Sequence, residues 1–410
     1  MIAPVALLLT LPAAFAIENA RVEAGDGTVL ERATVVVGDD GRIADVGPAV
    51  KVPAGATRID GQGRVLTPGF FETQSQMGLT EVLAEETTND YGVIAPVPEP
   101  TPGLRAADGF NPFSVRVPIT REEGVTTVIT SPSGALLYGL GYVVDLTGET
   151  SSRPDPARPV AMFGGIAEQD TGAAGQSRVG LWLKLREILD DARFYQRNRA
   201  SFDRNAARKL SLSRVHLEAL APVLDGKLPL VLVAHRATDL LAAIQLKREQ
   251  KLDVIVAGGA ESWKVARALA EAKVPVLFQP SLQGPRAFET LLARDDTAKI
   301  LDEAGVTLVL SAGEDWDENS RRLRQEAGIA VAHGLSRAAA LRAITDTPAR
   351  VFRKTDRGLV AKGRRADLVL WSGDPFELST VAERVWIAGR PMSLDTRQRA
   401  LAKRYLERAK

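Results

Sequence analysis

The chain has 410 residues, 45% of them hydrophobic, with 52 basic and 51 acidic side chains for a net charge of +1. This is the composition of an ordinary globular protein with ample core material, and no charge run offers a nucleic-acid track, so extended disorder and nucleic-acid binding are excluded. The absence of cysteine removes disulfides, thiolate metal sites and a Cys nucleophile together.

In chain order, Ile2 to Ala16 is a short apolar run closing on the small-x-small triplet Ala14-Phe15-Ala16. It reads as a signal peptide over 1–16 of an exported, periplasmic or otherwise extracytoplasmic protein, although no Lys or Arg precedes it. A buried first strand or a mis-set start codon are the alternatives. The run is too short to span a bilayer, so no transmembrane span is expected. Ala33 to Val37, the turn Asp39-Asp40-Gly41 and Arg42 to Val46 predict a hairpin. Short apolar runs then alternate with helical patterns, as parallel β/α units require. The predicted strands are Gly69 to Gln74, Val125 to Thr130, Pro159 to Phe163, Pro229 to His235, Asp253 to Ala257, Pro275 to Phe278 and Val306 to Ser311. The proline-rich stretch Glu81 to Pro112 predicts a long loop over one end. Ser177 to Leu220 predicts a charged helical insertion, and apart from Pro159 to Phe163 the strands between Ala135 and Gly226 are left unassigned. Ala366 to Trp371 and Arg384 to Ala388 alternate like the first hairpin, and a helix over 397–410 ends the chain.

The segment Val65 to Gly78, VLTPGFFETQSQMG, resembles the signature of the amidohydrolase superfamily. In that family a sandwich strand runs through Pro-Gly into the first barrel strand and ends in Asp-x-His-x-His-x-Gly. The phrases KGRRADLVLWSGDPF and RVWIAGRPM, Gly124-Val125-Thr126-Thr127, Ala330 to Leu335 and Ala343 to Pro348 extend the likeness, which is nearest to the imidazolonepropionase-like amidohydrolases of exported type. The resemblance implies an α/β fold: a TIM (β/α)8 barrel over 67–352, distorted in part, beside a discontinuous β-sandwich of 17–66 and 353–396. It also implies a hydrolase of non-peptide carbon–nitrogen bonds that uses Zn2+ where the family site is retained.

Active sites of such barrels lie at the carboxyl ends of the strands. There the two family histidines of the first strand are Gln74 and Gln76, the fifth strand keeps His235, the sixth has Gly258, and the eighth has Gly313 followed by Glu314 and Asp315. An amide is a far poorer zinc ligand than imidazole and glycine offers no ligand at all, which leaves His235 as the one metal-ligand candidate. Candidate catalytic residues are His235, Glu314 and Asp315, and Glu72 and Glu261 are further carboxylates near the site. His216 and His333 read as structural, and Lys184 lies in a helical pattern. The expectation is an amidohydrolase-family protein with a degenerate metal site and a binding or partner role, as a homo-oligomer or beside an active paralogue, with a small amide-like ligand. The alternative is an active hydrolase with a rearranged mononuclear or metal-free site built on His235 and nearby carboxylates. If the barrel is otherwise intact, Gln74→His, Gln76→His, Gly258→His and Gly313→Asp together are expected to restore zinc binding.

Overall fold

The computed structural model describes residues 14–93, 98–204, 208–282, 284–313 and 317–408. Its first strands are β1 (Phe15–Glu23), β2 (Val29–Val37), β3 (Ile43–Gly47), β4 (Thr57–Asp60) and β5 (Val65–Pro68). The barrel strands are β6 (Phe70–Ser75), β7 (Val125–Thr130), β8 (Leu137–Asp145), β9 (Ala161–Gly165), β10 (Leu230–Ala234), β11 (Val254–Gly258), β12 (Val276–Phe278) and β13 (Leu308–Leu310). Near the other end of the chain lie β14 (Leu368–Trp371), β15 (Ala382–Ile387) and β16 (Arg390–Met392).

The two chain ends build one sheet, in the order β16-β15-β14-β5-β1-β2-β3 with β4 on β1. Its centre joins distant sequence: Val369 pairs with Thr67 and Arg21 with Val65. A lone hairpin cannot bury its apolar face. Here Val35 and Val37 share a core with Leu368, Leu370 and Trp386. The sheet is continuous and curls on itself, so that Phe15 of β1 stacks on Trp386 of β15 with ring centroids 5.6 Å apart. It begins two residues before the expected boundary at 17, because Phe15 and Ala16 pair with Val37 and Val36.

The second sheet runs from β6 to β13 in chain order and forms a nearly closed barrel. All seven predicted barrel strands form, within two residues at either end. Their near-continuous hydrophobic runs resolve into period-2 alternation. Val231, Ile255, Leu277 and Val309 fill the barrel interior, while their neighbours Leu230, Val254, Val276 and Leu308 face the helices. The distortion of the (β/α)8 barrel lies at β8, which is antiparallel to both β7 and β9. The six residues 131–136 between β7 and β8 are too few for the crossover that a parallel strand requires. Ser177 to Leu220 yields a helix over Arg178–Asp203 and a shorter one over Arg214–Ala219, whose Leu181, Leu185, Ile188 and Leu217 pack in the outer core. The loop Glu81 to Pro112 is tied to β8 by bonds from Thr101 N–H to the Leu137 carbonyl and from Leu140 N–H to the Leu104 carbonyl. Arg397–Arg408 is helical. Among the described residues no helix is long and apolar enough to cross a membrane.

Candidate functional site

Five positions named from the sequence, Gln74, Gln76, His235, Gly258 and Gly313, line one cavity of about 240 Å³ at the carboxyl ends of the barrel strands. Gln74 lies near the end of β6, His235 follows β10, Gly258 closes β11 and Gly313 follows β13. Glu314 and Asp315 lie outside the described residues. Glu261 stands off the cavity: its carboxylate accepts from Ala237 N–H at 3.0 Å, at the start of the helix Ala237–Gln250, and pairs with Lys264. Lys184 bonds the Ala173 carbonyl, and His216 Nδ1 accepts from Gly103 N–H at 3.0 Å. Burial holds the His216 pKa below the usual imidazole range. His333 caps a helix C-terminus, followed by Gly334 at φ +97°.

The two glycines are more than missing ligands. A Cβ on Gly313 would lie 1.5 Å from the Gln74 carbonyl oxygen, so the turn after β13 is pressed against the backbone of β6. A Cβ on Gly258 would lie 2.5 Å from His235 Cε1, and its φ of +88° is one that side chains rarely adopt. The space that a histidine and an aspartate would need is filled by backbone and by the surviving imidazole. The expected four-residue restoration of the metal site is therefore corrected: two of its substitutions collide with what has moved in. Among the described residues the aligned positions offer two amides, one imidazole and two glycines, a weaker donor set for zinc than imidazoles and carboxylates. Among the described residues no three His, Asp or Glu side chains stand where they could share an ion.

Between β13 and β6 the strand pairing gives way to a side chain. Glu72 is fully buried, and its carboxylate accepts from the N–H groups of Thr73 (2.8 Å), Gln74 (2.9 Å) and Ala312 (2.7 Å) and from the Ser311 hydroxyl (2.5 Å). Burial pushes its pKa up to about 7, against four hydrogen bonds that each favour the anion. Glu72 thus fastens the seam beneath the cavity, a role its sequence position did not suggest.

Other cavity residues escaped sequence reasoning. Tyr138 comes from the reversed strand β8, one of the strands left unassigned from the sequence. Its hydroxyl donates to Asp170 at 2.8 Å, and Asp170 also accepts from Ala167 N–H. Burial raises Asp170 to about 6, with Glu289 adding to the rise, and lifts Tyr138 well above the usual phenol range. Glu289 is buried in the wall, accepting from Glu168 N–H and from Arg178. The available signal was its place in the loop after β12, at the active end of a barrel strand.

A model of the amidohydrolase family matches residues 312–392, the stretch carrying Gly313 and the C-terminal half of the first sheet. The amidohydrolase TasK of Hapsidospora irregularis is 22% identical over 372 residues, which cover 83% of this chain but 38% of that protein. The chain thus spans well under half the length of this curated relative. An amidohydrolase from Thermotoga maritima superposes with a TM-score of 0.82 at 26% identity, covering 92% of this chain and 99% of that one. The chain belongs to the amidohydrolase superfamily. A zinc-bound adenosine deaminase from Xanthomonas campestris, 18% identical with a TM-score of 0.53 over 97% of this chain and 98% of its own, shares the fold. Against the strand-end pattern that the sequence resembles, Gln74, Gln76, Gly258 and Gly313 differ in side chain, and the two glycines stand in close contact with the Gln74 carbonyl and the His235 ring.

Proposed function

We propose that this amidohydrolase-superfamily chain is a binding member of its family, holding a small uncharged amide-type ligand at the barrel mouth without zinc-dependent hydrolysis. The observation that carries the reading is the approach of Gly313 to the Gln74 carbonyl, which leaves no room for the carboxylate that would complete a metal site. The choice of ligand rests on two groups. Gln74 is more than nine-tenths buried, and its side-chain amide nitrogen has no hydrogen-bond partner within the protein; such a group favours an acceptor. Tyr138 has committed its proton to Asp170 and takes one side-chain bond from Gln169, so only the remaining acceptor capacity of its oxygen favours a donor, and a neutral amide offers both acceptor and donor. Metal analysis of the purified protein is the test. Near-stoichiometric zinc, manganese or iron, lost with hydrolytic activity in His235→Ala, overturns the proposal; sub-stoichiometric metal with saturable binding of neutral lactams or imides supports it.

A second reading, metal-free hydrolysis, is favoured by Asp170, whose pKa of about 6 beside Tyr138 suits general acid–base work near neutrality. Activity that survives chelation and vanishes in Asp170→Asn would establish it. Export belongs to the same proposal and is decided by the N-terminus of the mature protein.

A further inference from the structure

We infer that this chain associates with a second copy of itself through an apolar patch beside the barrel mouth. The patch flanks the ion pair that Arg178 makes with Glu289. On one side of that pair, Val179 and Leu183 of the helix Arg178–Asp203 are 81% and 68% exposed; on the other, Phe288, Leu291 and Leu292 are 84%, 55% and 52% exposed. Val179 and Leu183 are one turn apart and lie on one helix face. The half-buried Trp263 ties the other side together, donating from its indole N–H to the Leu292 carbonyl at 2.9 Å, with Arg294 over its ring.

The size of the patch argues for a protein partner. At these exposures the five side chains present about 300–500 Å² of apolar surface. A standard interface takes about 800 Å² from each partner, rather more than half of it apolar, so the patch alone supplies most of that share. Its rim argues for a second copy. The exposed residues Glu187 and Asp190 continue the face of Val179 and Leu183, while Arg286, Lys264 and Arg294 border the loop side; Asp190, Lys264 and Arg294 also pair with Arg193, Glu261 and Asp296 in their own chain, and Arg286 has in-chain contacts as well. A twofold axis that lays the helix of one copy on the loop of the other matches apolar to apolar and acidic rim to basic rim, which is what an isologous contact demands. Phe288 sits between Ala287 and Glu289, both cavity-lining residues, so the partner would border the cavity entrance. This inference does not depend on the ligand reading.

The test is light scattering coupled to size exclusion on the full chain, from low micromolar up to about 100 µM, where interfaces of this size associate. The expected mass is twice 44.0 kDa. Phe288→Asp and Leu183→Asp are each expected to weaken association at least about tenfold with unchanged circular dichroism, since both side chains are exposed. Glu187→Lys should weaken it too, and adding Arg286→Glu should restore it. A wild-type monomer throughout this range overturns the inference. So does a dimer indifferent to both aspartate substitutions, which would place the contact elsewhere, and so does association seen only after adding a different protein.

Discussion

Replacing Glu72 with glutamine isolates the seam carboxylate and predicts a specific change in pH dependence. Below about pH 4.5 both folded and unfolded chains carry the proton. Between that value and about 7, the folded chain keeps a proton that the unfolded chain has lost, so stability from this group falls as pH rises through the window and is flat above it. The raised pKa corresponds to about 3 kcal/mol. In Glu72→Gln nothing titrates at this position. Its NH2 group must face one of the four donors that now converge on the carboxylate, which costs about 1–3 kcal/mol for an unmade buried bond. The variant should therefore be the less stable protein at pH 5, with the gap closing or reversing at pH 8. For a chain of this length the change in the gap amounts to roughly 3–4 °C in Tm. Urea and thermal unfolding of both proteins at the two pH values measure it. Other buried carboxyls, such as Asp170 and Glu326, also rise, but they are common to both proteins and cancel. A wild-type-to-variant gap that is the same at pH 5 and pH 8 would refute the reasoning.

Asp145 bridges Arg357 and Arg365; burial alone would raise its pKa, but the two guanidiniums hold it at about 2. Asp145→Ala should cost about 2 kcal/mol near neutrality, less than a pair stripped bare because Arg357 and Arg365 keep Asp356 and Asp367; this contribution is present above pH 4 and fades as pH falls toward 2, which denaturation with urea at pH 7 and pH 3 will show. Gly313→Asp should destabilise the folded protein by about 3 kcal/mol or more, as read by urea unfolding followed by circular dichroism. By contrast the double substitution Gln74→His and Gln76→His should fold and, with His235, bind zinc at least about tenfold more tightly than wild type in calorimetric titration. If the mature N-terminus begins at Ile17, the Phe15–Trp386 stack is absent from the working protein, and a chain made from Ile17 should match its Tm; Edman sequencing and unfolding of the two forms decide this.

The fold was legible because its signals are local and physical. Seven barrel strands showed themselves as short β-branched runs, and the pairing of the chain ends followed from hairpins that could not bury a face alone. Strand β8 stayed hidden because LYGLGYVVD carries two glycines and follows a turn with no helical spacer. A parallel βα template passes over such a segment, and with it went Tyr138. Glu289 was missed for a related reason: it stands in a loop with no strand pattern of its own, and only the carbonyl-end rule pointed there.

The site was legible as a set of positions and illegible as a shape. Sequence told that Gly258 and Gly313 carry no ligand, and from that alone an empty but intact pocket follows, open to repair by putting the ligands back. Backbone geometry says otherwise. With glycine at 313 the turn needs no room for a side chain, and β13 approaches β6 until the Gln74 carbonyl fills the gap. Glu72, bonded to Ser311 and Ala312, then fastens the two strands in that closer arrangement. The same carboxylate that holds the seam together therefore opposes the movement needed to admit Asp at 313. Loosening the seam with Glu72→Ala should make Gly313→Asp less damaging than it is alone, a coupling that a double-mutant cycle in urea measures directly. If the two costs simply add, the closed seam is not what excludes the carboxylate.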